Sequence, residues 1–248
     1  MKYIESLQNP LIKQCKKLHT KKEREKTDTL LIEGPHLIEE AIANNINLLA
    51  VIVTDEGLVP SNLHAPLYKV PVEIMNHISQ TETPQGIAAI CDLPEQELQW
   101  NKLQKVLLID AVQDPGNVGT MIRTADAAGV DAVIIGKGTV DVYNDKVVRA
   151  TQGAIFHVPI FKEDLLEATS HLKENNIPVF GTALENAAVY TEIQPPGSFG
   201  LIVGNEGSGV SPDVLQQTSK NLFIPIYGKS ESLNVGIATG ILLYYLRG

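Results

Sequence analysis

The sequence predicts an α/β chain of two units, residues 1–97 and 98–248, and three observations carry that expectation. Short apolar runs of strand length alternate with longer stretches whose apolar residues recur at helical spacing, the arrangement of layered α/β folds. In the second half, polar and glycine-rich blocks directly follow strand-like runs. That places them at the carboxyl ends of sheet strands, where ligands bind in open α/β sheets. Between the halves, residues 92–104 are polar and shift in composition, as a domain boundary does.

In the first unit, residues 5–26 read as a helix entering a charged turn: Leu7, Leu11, Cys15 and Leu18 mark one apolar face and the lysines point away. Leu30-Leu-Ile32 is a short strand, and Gly34-Pro35 punctuates it, with Pro35 suited to a first helical turn. The helix that follows uses Leu37, Ile38, Ala41 and Ile42. Residues 48–53 and 87–91 are apolar strands. Trp100, the single tryptophan, is a packing residue at the junction rather than a platform for a base.

The second unit opens with a strand over 106–110. After a polar loop, Val118, Met121, Ile122 and Ala125 form the buried side of a helix that Gly129 ends. A strand over 131–136 completes a βαβ unit of ordinary length. Further strands lie at 178–181, 200–204 and 222–226, and a last helix runs over 233–246.

A hydrophobic fraction of 44% suits a globular core. Cys15 and Cys91 have no metal-ligand spacing, no other cluster implies a metal, and reduced thiols are expected. No run is long enough to span a bilayer and the first residues carry no signal core, so a soluble cytoplasmic protein is expected. The net charge of -9 argues mildly against nucleic acid. Yet Lys13, Lys16, Lys17, Lys21, Lys22, Arg24 and Lys26 lie in one short run opposed only by Glu23 and Glu25. From charge alone this is either a phosphate-binding surface or a solvated helix face.

Three blocks carry the chemistry. Asp110-Ala-Val-Gln-Asp-Pro-Gly-Asn-Val-Gly-Thr-Met-Ile-Arg123 leads from strand into helix and contains Asn117 and Arg123. Gly204-Asn-Glu-Gly-Ser-Gly209 allows close backbone approach and positive φ, and its exposed N–H groups can hold a polar ligand. Its glycine spacing is the reverse of the dinucleotide fingerprint, which disfavours a nicotinamide-dependent oxidoreductase. Ser230-Glu-Ser-Leu-Asn234 opens the last helix. Helix capping explains one of these polar residues but not all of them.

Taken in order, the blocks resemble the SpoU branch of the SPOUT superfamily, methyltransferases that use S-adenosylmethionine to methylate a ribose 2′-hydroxyl of RNA. The resemblance covers most of residues 105–248. It implies a mostly parallel α/β sheet threaded into a deep trefoil knot. Residues 30–41 and 83–89 resemble the companion substrate-binding domain of that family, similar to the L30e fold. The resemblance implies catalytic roles for Asn117, Arg123, Glu206, Ser232 and Asn234. It assigns Thr182, Gly204, Asn205, Gly209, Ile224, Ile226, Leu233 and Asn234 to the S-adenosylmethionine pocket. Arg149 and Gln152 resemble a family segment without a firm role, and His157 reads as structural. Arg123 stays charged at any biological pH, so a bidentate grip on an RNA phosphate suits it better than proton abstraction. The family likeness also tips the basic run Lys13–Arg24 toward RNA and implies a homodimer through the second unit. Ribosomal RNA, 23S in particular, is the expected substrate. Transfer RNA and a catalytically dead RNA-binding module are the alternatives.

Overall fold

The computed structural model describes residues 1–248. The chain forms two compact units: Met1–Glu95 with Tyr143–Phe156, and Gln96–Val142 with His157–Gly248.

The first unit runs β1 (Lys2–Tyr3), α1 (Pro10–Lys17), α2 (Lys21–Thr27), β2 (Thr29–Glu33), α3 (Pro35–Ala43), β3 (Leu48–Val53), β4 (Leu67–Lys69), α4 (Val72–Ile78) and β5 (Ile87–Asp92). Its sheet has the order β1-β4-β3-β5-β2, with β5 antiparallel to both β2 and β3. Ile12, Cys15 and Leu18 pack with Ile74, Met75 and Ile78 of α4 against one sheet face, and α3 packs on β2 and β5. The single helix expected over 5–26 is two. Asn9 caps α1 through the Leu11 N–H and Pro10 takes the first turn, so Leu7 falls outside the helix and is exposed. Thr20 accepts from the Glu23 N–H and restarts the chain as α2.

That break changes the basic run. Lys13, Lys17, Lys21, Lys22 and Lys26 are exposed and Lys16 is half-buried. Arg24 does not belong with them. It is 4% exposed, and its Nη1 donates to the Leu18 carbonyl at 2.7 Å, pinning the α1–α2 turn. Reading it as an RNA contact is therefore corrected: a guanidinium spent on the protein's own backbone has no fork to offer a phosphate.

The second unit runs β6 (Lys105–Ile109), α5 (Pro115–Ala127) and β7 (Ala132–Ile135). The chain then contributes α6 (Asp145–Thr151) to the first unit before returning. It continues through β8 (Ile160–Lys162), α7 (Leu165–Glu174), β9 (Val179–Thr182), β10 (Ala188–Val189), β11 (Phe199–Val203), α8 (Pro212–Gln217), β12 (Lys220–Phe223) and α9 (Val235–Arg247). The seven strands lie in the order β10-β12-β9-β11-β6-β7-β8 and every pairing is parallel. One core joins Val106, Leu108, Ile134 and Ile202 to Leu165, Ala168 and Leu172 of α7 and Val214 of α8. Trp100 packs against that core and stacks on His171, with ring centroids 5.1 Å apart, the packing role expected of it. Gly129 takes φ +67° just past α5, which is why the helix stops there.

Helix α9 packs on α5. It buries Gly236, Thr239, Leu242, Leu243 and Leu246. A Cβ on Gly236 would lie 3.2 Å from Thr120 Cγ2, and one on Gly240 would lie 3.4 Å from Thr124 Cγ2. Gly236 and Gly240 thus serve the close approach of α5 within the same chain. Ile237 and Tyr244, 56% and 53% exposed, remain on its outer side with Leu233 at its approach.

Candidate functional site

The carboxyl ends of parallel strands β6, β9, β11 and β12 lead into the segments that carry the site residues. At β6, the Asp110 N–H donates to the Val203 carbonyl at 2.8 Å. The Asp110 carboxylate accepts from the Ser211 N–H at 2.7 Å. This nearly buried aspartate therefore ties the exit of β6 to the far end of the glycine block. The next residue, Ala111, adopts φ +53°, a left-handed conformation that costs a non-glycine residue about 1 kcal/mol. Its carbonyl accepts from Asn205 Nδ2 at 2.8 Å.

Asn205 organises its own loop. Its Oδ1 accepts from the N–H groups of Gly207 (2.9 Å) and Ser208 (3.1 Å), and its backbone exchanges two hydrogen bonds with Gly209. The turn is so tight that a Cβ on Gly204 would lie 2.2 Å from Gly209 C and Val210 N. Gly204 is thus required by the return of its own loop, and Asn205 is spent within it. Gly209, with φ +71°, does line the cavity described below.

The three blocks meet in one hydrogen-bonded chain. Asp114 caps α5 by accepting from the Asn117 N–H at 2.7 Å. Asn117 Nδ2 donates to Glu206 Oε1 at 3.0 Å, and Asn117 Oδ1 accepts from Asn234 Nδ2 at 2.8 Å. Asn234 Oδ1 in turn caps α9, accepting from the Gly236 and Ile237 N–H groups. Partial burial raises the Glu206 pKa, but the Asn117 side chain and the N–H groups of Glu206 itself, Gln113 and Asp114 outweigh it. The carboxyl is held below the ordinary range. Glu206 therefore stays ionised at neutral pH. Stability from these bonds is present above the ordinary carboxylate range and fades as pH falls through the lowered value.

Arg123 lies apart from this chain of contacts. It is exposed on α5. Asp126, the carboxylate that helical spacing would offer it, is paired with His157 Nδ1 at 2.9 Å. His157 is thereby accounted for as a residue that holds α5. Arg149 pairs with Asp145 at 2.9 Å on α6 in the first unit.

Beside the Asn117–Glu206–Asn234 chain is a cavity of about 740 Å3, a size usual for small-molecule and cofactor sites. Of the expected pocket residues, Thr182, Gly209, Ile224, Ile226 and Leu233 line it, as does Ser232. Gly204, Asn205 and Asn234 do not. Sequence reasoning missed the loop Ala183–Asn186 and the contribution of Leu215 and Gln216 from α8. The loop was within reach of the same argument that found the glycine block, because it follows the carboxyl end of β9. Its residues carry no glycine, and the one turn-type residue among them is Asn186, which takes φ +50°. Apolar Leu222, Ile224 and Leu242 offer a wall for a flat ring, and the loop backbones offer polar groups around it. These features fit an adenosine-bearing ligand.

The SpoU rRNA Methylase family profile matches residues 104–244, and that of the MRM3-like substrate binding domain matches residues 9–89. The 23S rRNA (guanosine(2553)-2′-O)-methyltransferase RlmP of Bacillus subtilis (strain 168) is 52% identical over 250 residues, covering 100% of both chains. Among solved structures, an AdoMet-bound rRNA methyltransferase from Sinorhizobium meliloti superposes with a TM-score of 0.88 at 28% identity, covering 99% of this chain and 97% of that one. A structure described as an RNA 2′-O ribose methyltransferase matches with a TM-score of 0.85 at 30% identity, covering 98% and 97%.

Proposed function

Because the chain belongs to the SpoU rRNA Methylase family, we propose that its second unit moves a methyl group from S-adenosylmethionine to a ribose 2′-hydroxyl of 23S ribosomal RNA. The observation that carries this is the chain Asn234–Asn117–Glu206 standing beside the cavity. When bound, S-adenosylmethionine supplies an electrophilic methyl group on a sulfonium. Thr182, Gly209, Ile224, Ile226 and Leu233 hold the cofactor. Ser232 stands where the cavity meets the block that leads into α9. Asn117, fixed at both ends of its amide, orients the reacting groups. Glu206 keeps Asn117 in place, and as a carboxylate held below its ordinary range it is a weak proton acceptor. Arg123, exposed and without a carboxylate partner, grips an RNA phosphate and sets the neighbouring hydroxyl in line with the methyl group. Substrate recognition belongs to the first unit, whose expected bounds 1–97 give way to Met1–Glu95 with Tyr143–Phe156, and transfer to the second. Mapping ribose methylations in ribosomal RNA from cells with and without this protein tests the reading. One 2′-O-methyl group should vanish from 23S rRNA, and an unchanged map contradicts it.

The exposed lysines of α1 and α2 support RNA contact by the first unit. Replacing Lys16, Lys17, Lys21 and Lys22 together with glutamine is expected to weaken RNA binding and leave S-adenosylmethionine affinity unchanged. If all four act through phosphates, the slope of log affinity against log salt should flatten by about 3. An unchanged slope would reduce the run to a solvated helix face.

The outer side of α9 supports a homodimer through the second unit. Ile237 and Tyr244, seven residues apart on one side of α9, are left exposed by the packing on α5, and a two-fold contact would cover the same patch on both copies. Light scattering at micromolar concentration should give twice the 27.0 kDa chain mass. Ile237→Glu should shift the population toward monomer, and a wild-type protein that is monomeric and fully active contradicts the assembly.

A further inference from the structure

We infer that the cofactor cavity selects its ligand by charge, with the carboxylates of Glu185 and Glu231 favouring the sulfonium form and releasing the neutral product. The inference rests on the methyltransferase reading and adds to it the residues that separate cofactor from product.

Among the residues that line the cavity, only these two have acidic or basic side chains; no lysine, arginine or histidine faces it. Glu185 comes from the loop between β9 and β10, and Glu231 from the segment between β12 and α9, so two separate parts of the chain each bring one negative charge. Both carboxylates are on exposed residues at the cavity's rim, and the ionised Glu206, third in the glycine block, neighbours the lining residue Gly207 without lining the cavity itself. The rest of the lining is uncharged side chain and backbone. Such a lining holds an adenosine by shape and hydrogen bonding, and leaves the charge preference to the carboxylates.

The reaction changes one charge in this cavity. The carbon–sulfur bond to the methyl group breaks as the ribose oxygen–carbon bond forms, the bonding electron pair returns to sulfur, and the hydroxyl proton leaves to solvent. S-adenosylmethionine and S-adenosylhomocysteine share the adenosine, the α-ammonium and the α-carboxylate. They differ by one methyl group and one positive charge on sulfur. A field from Glu185 and Glu231 therefore acts on the difference between substrate and product. Two carboxylates near a unit charge at a partly solvated site are expected to favour the sulfonium by about five- to tenfold.

Calorimetry with both ligands tests this on the full chain, comparing wild type, Glu185→Gln, Glu231→Gln and the double variant. In the double variant, S-adenosylmethionine affinity should fall by about five- to tenfold while S-adenosylhomocysteine affinity stays within about twofold. In the wild type, added salt should weaken S-adenosylmethionine binding more than S-adenosylhomocysteine binding. This last comparison needs no variant and holds the inference to account even if the double variant folds poorly. Equal weakening of both ligands would mean that the carboxylates grip the shared ammonium, and it overturns the inference. Unchanged affinities in a folded double variant, or equal salt dependence in the wild type, overturn it as well while leaving the methyltransferase reading standing. A wild-type protein that binds neither ligand overturns both.

Discussion

Arg123→Ala is expected to lower methyl transfer by about a hundredfold or more while leaving the fold and S-adenosylmethionine affinity nearly intact, the signature of lost positioning rather than lost binding of the cofactor. The local contacts explain the separation. Arg123 is exposed on a helix whose buried face is Val118, Met121, Ile122 and Ala125. Its helical neighbour Asp126 is already paired with His157. Removing a surface guanidinium in that setting costs the fold little. Arg123 is also absent from the cavity lining, so cofactor binding should not feel its loss. Lysine should rescue little, because a point charge cannot reproduce a bidentate fork on a phosphate. Single-turnover transfer from labelled cofactor, alongside calorimetry and a thermal melt, separates these effects. A variant that keeps about a tenth or more of wild-type turnover contradicts the role.

Gly204→Val should damage the cofactor site through the loop rather than through direct contact with the ligand. Its Cβ would sit 2.2 Å from the backbone of Gly209 and Val210, a distance that no rotamer choice relieves. The loop must open, and with it go the Asn205 bonds to Gly207 and Ser208 and the Ser211–Asp110 bond that anchors its far end. The expected cost is about 3 kcal/mol or more of stability. Cofactor affinity should fall by more than about tenfold, since Gly207 and Gly209 would leave the cavity wall. Gly204→Ala should show the same loss, because the first side-chain carbon already overlaps the backbone. A folded Gly204→Ala protein with wild-type affinity would show that the tight turn is dispensable.

The parts of this site that were legible in the sequence are those where one residue type answers one local demand. Glycines mark the turn after β11, Gly129 marks the end of α5, and Asn234 marks the start of α9. What those signals could not express is partnership across long separations. That Asn117 divides its amide between Glu206, 89 residues away, and Asn234, 117 residues away, is a product of the parallel sheet order. Arg24 shows the opposite failure. Within a run of lysines its charge reads as surface, and only the break between α1 and α2 turns it inward onto the Leu18 carbonyl. Residues 143–156 were equally hidden. Nothing in Asp145–Thr151 marks a helix that leaves one unit to join the other, because its apolar side, Val147 and Val148, reads the same whichever core it joins. The loop after β9 lacks glycine and offers only Asn186 as a turn signal, too little to mark it as part of the cavity wall before the strand order was known.

The most direct test of the central claim is nucleoside analysis of 23S rRNA incubated with the purified protein and methyl-labelled S-adenosylmethionine. The account predicts label in a single 2′-O-methylnucleoside, with none after alanine replaces Arg123. Label in a base-methylated nucleoside, or no label in RNA from a protein that binds the cofactor, would contradict it.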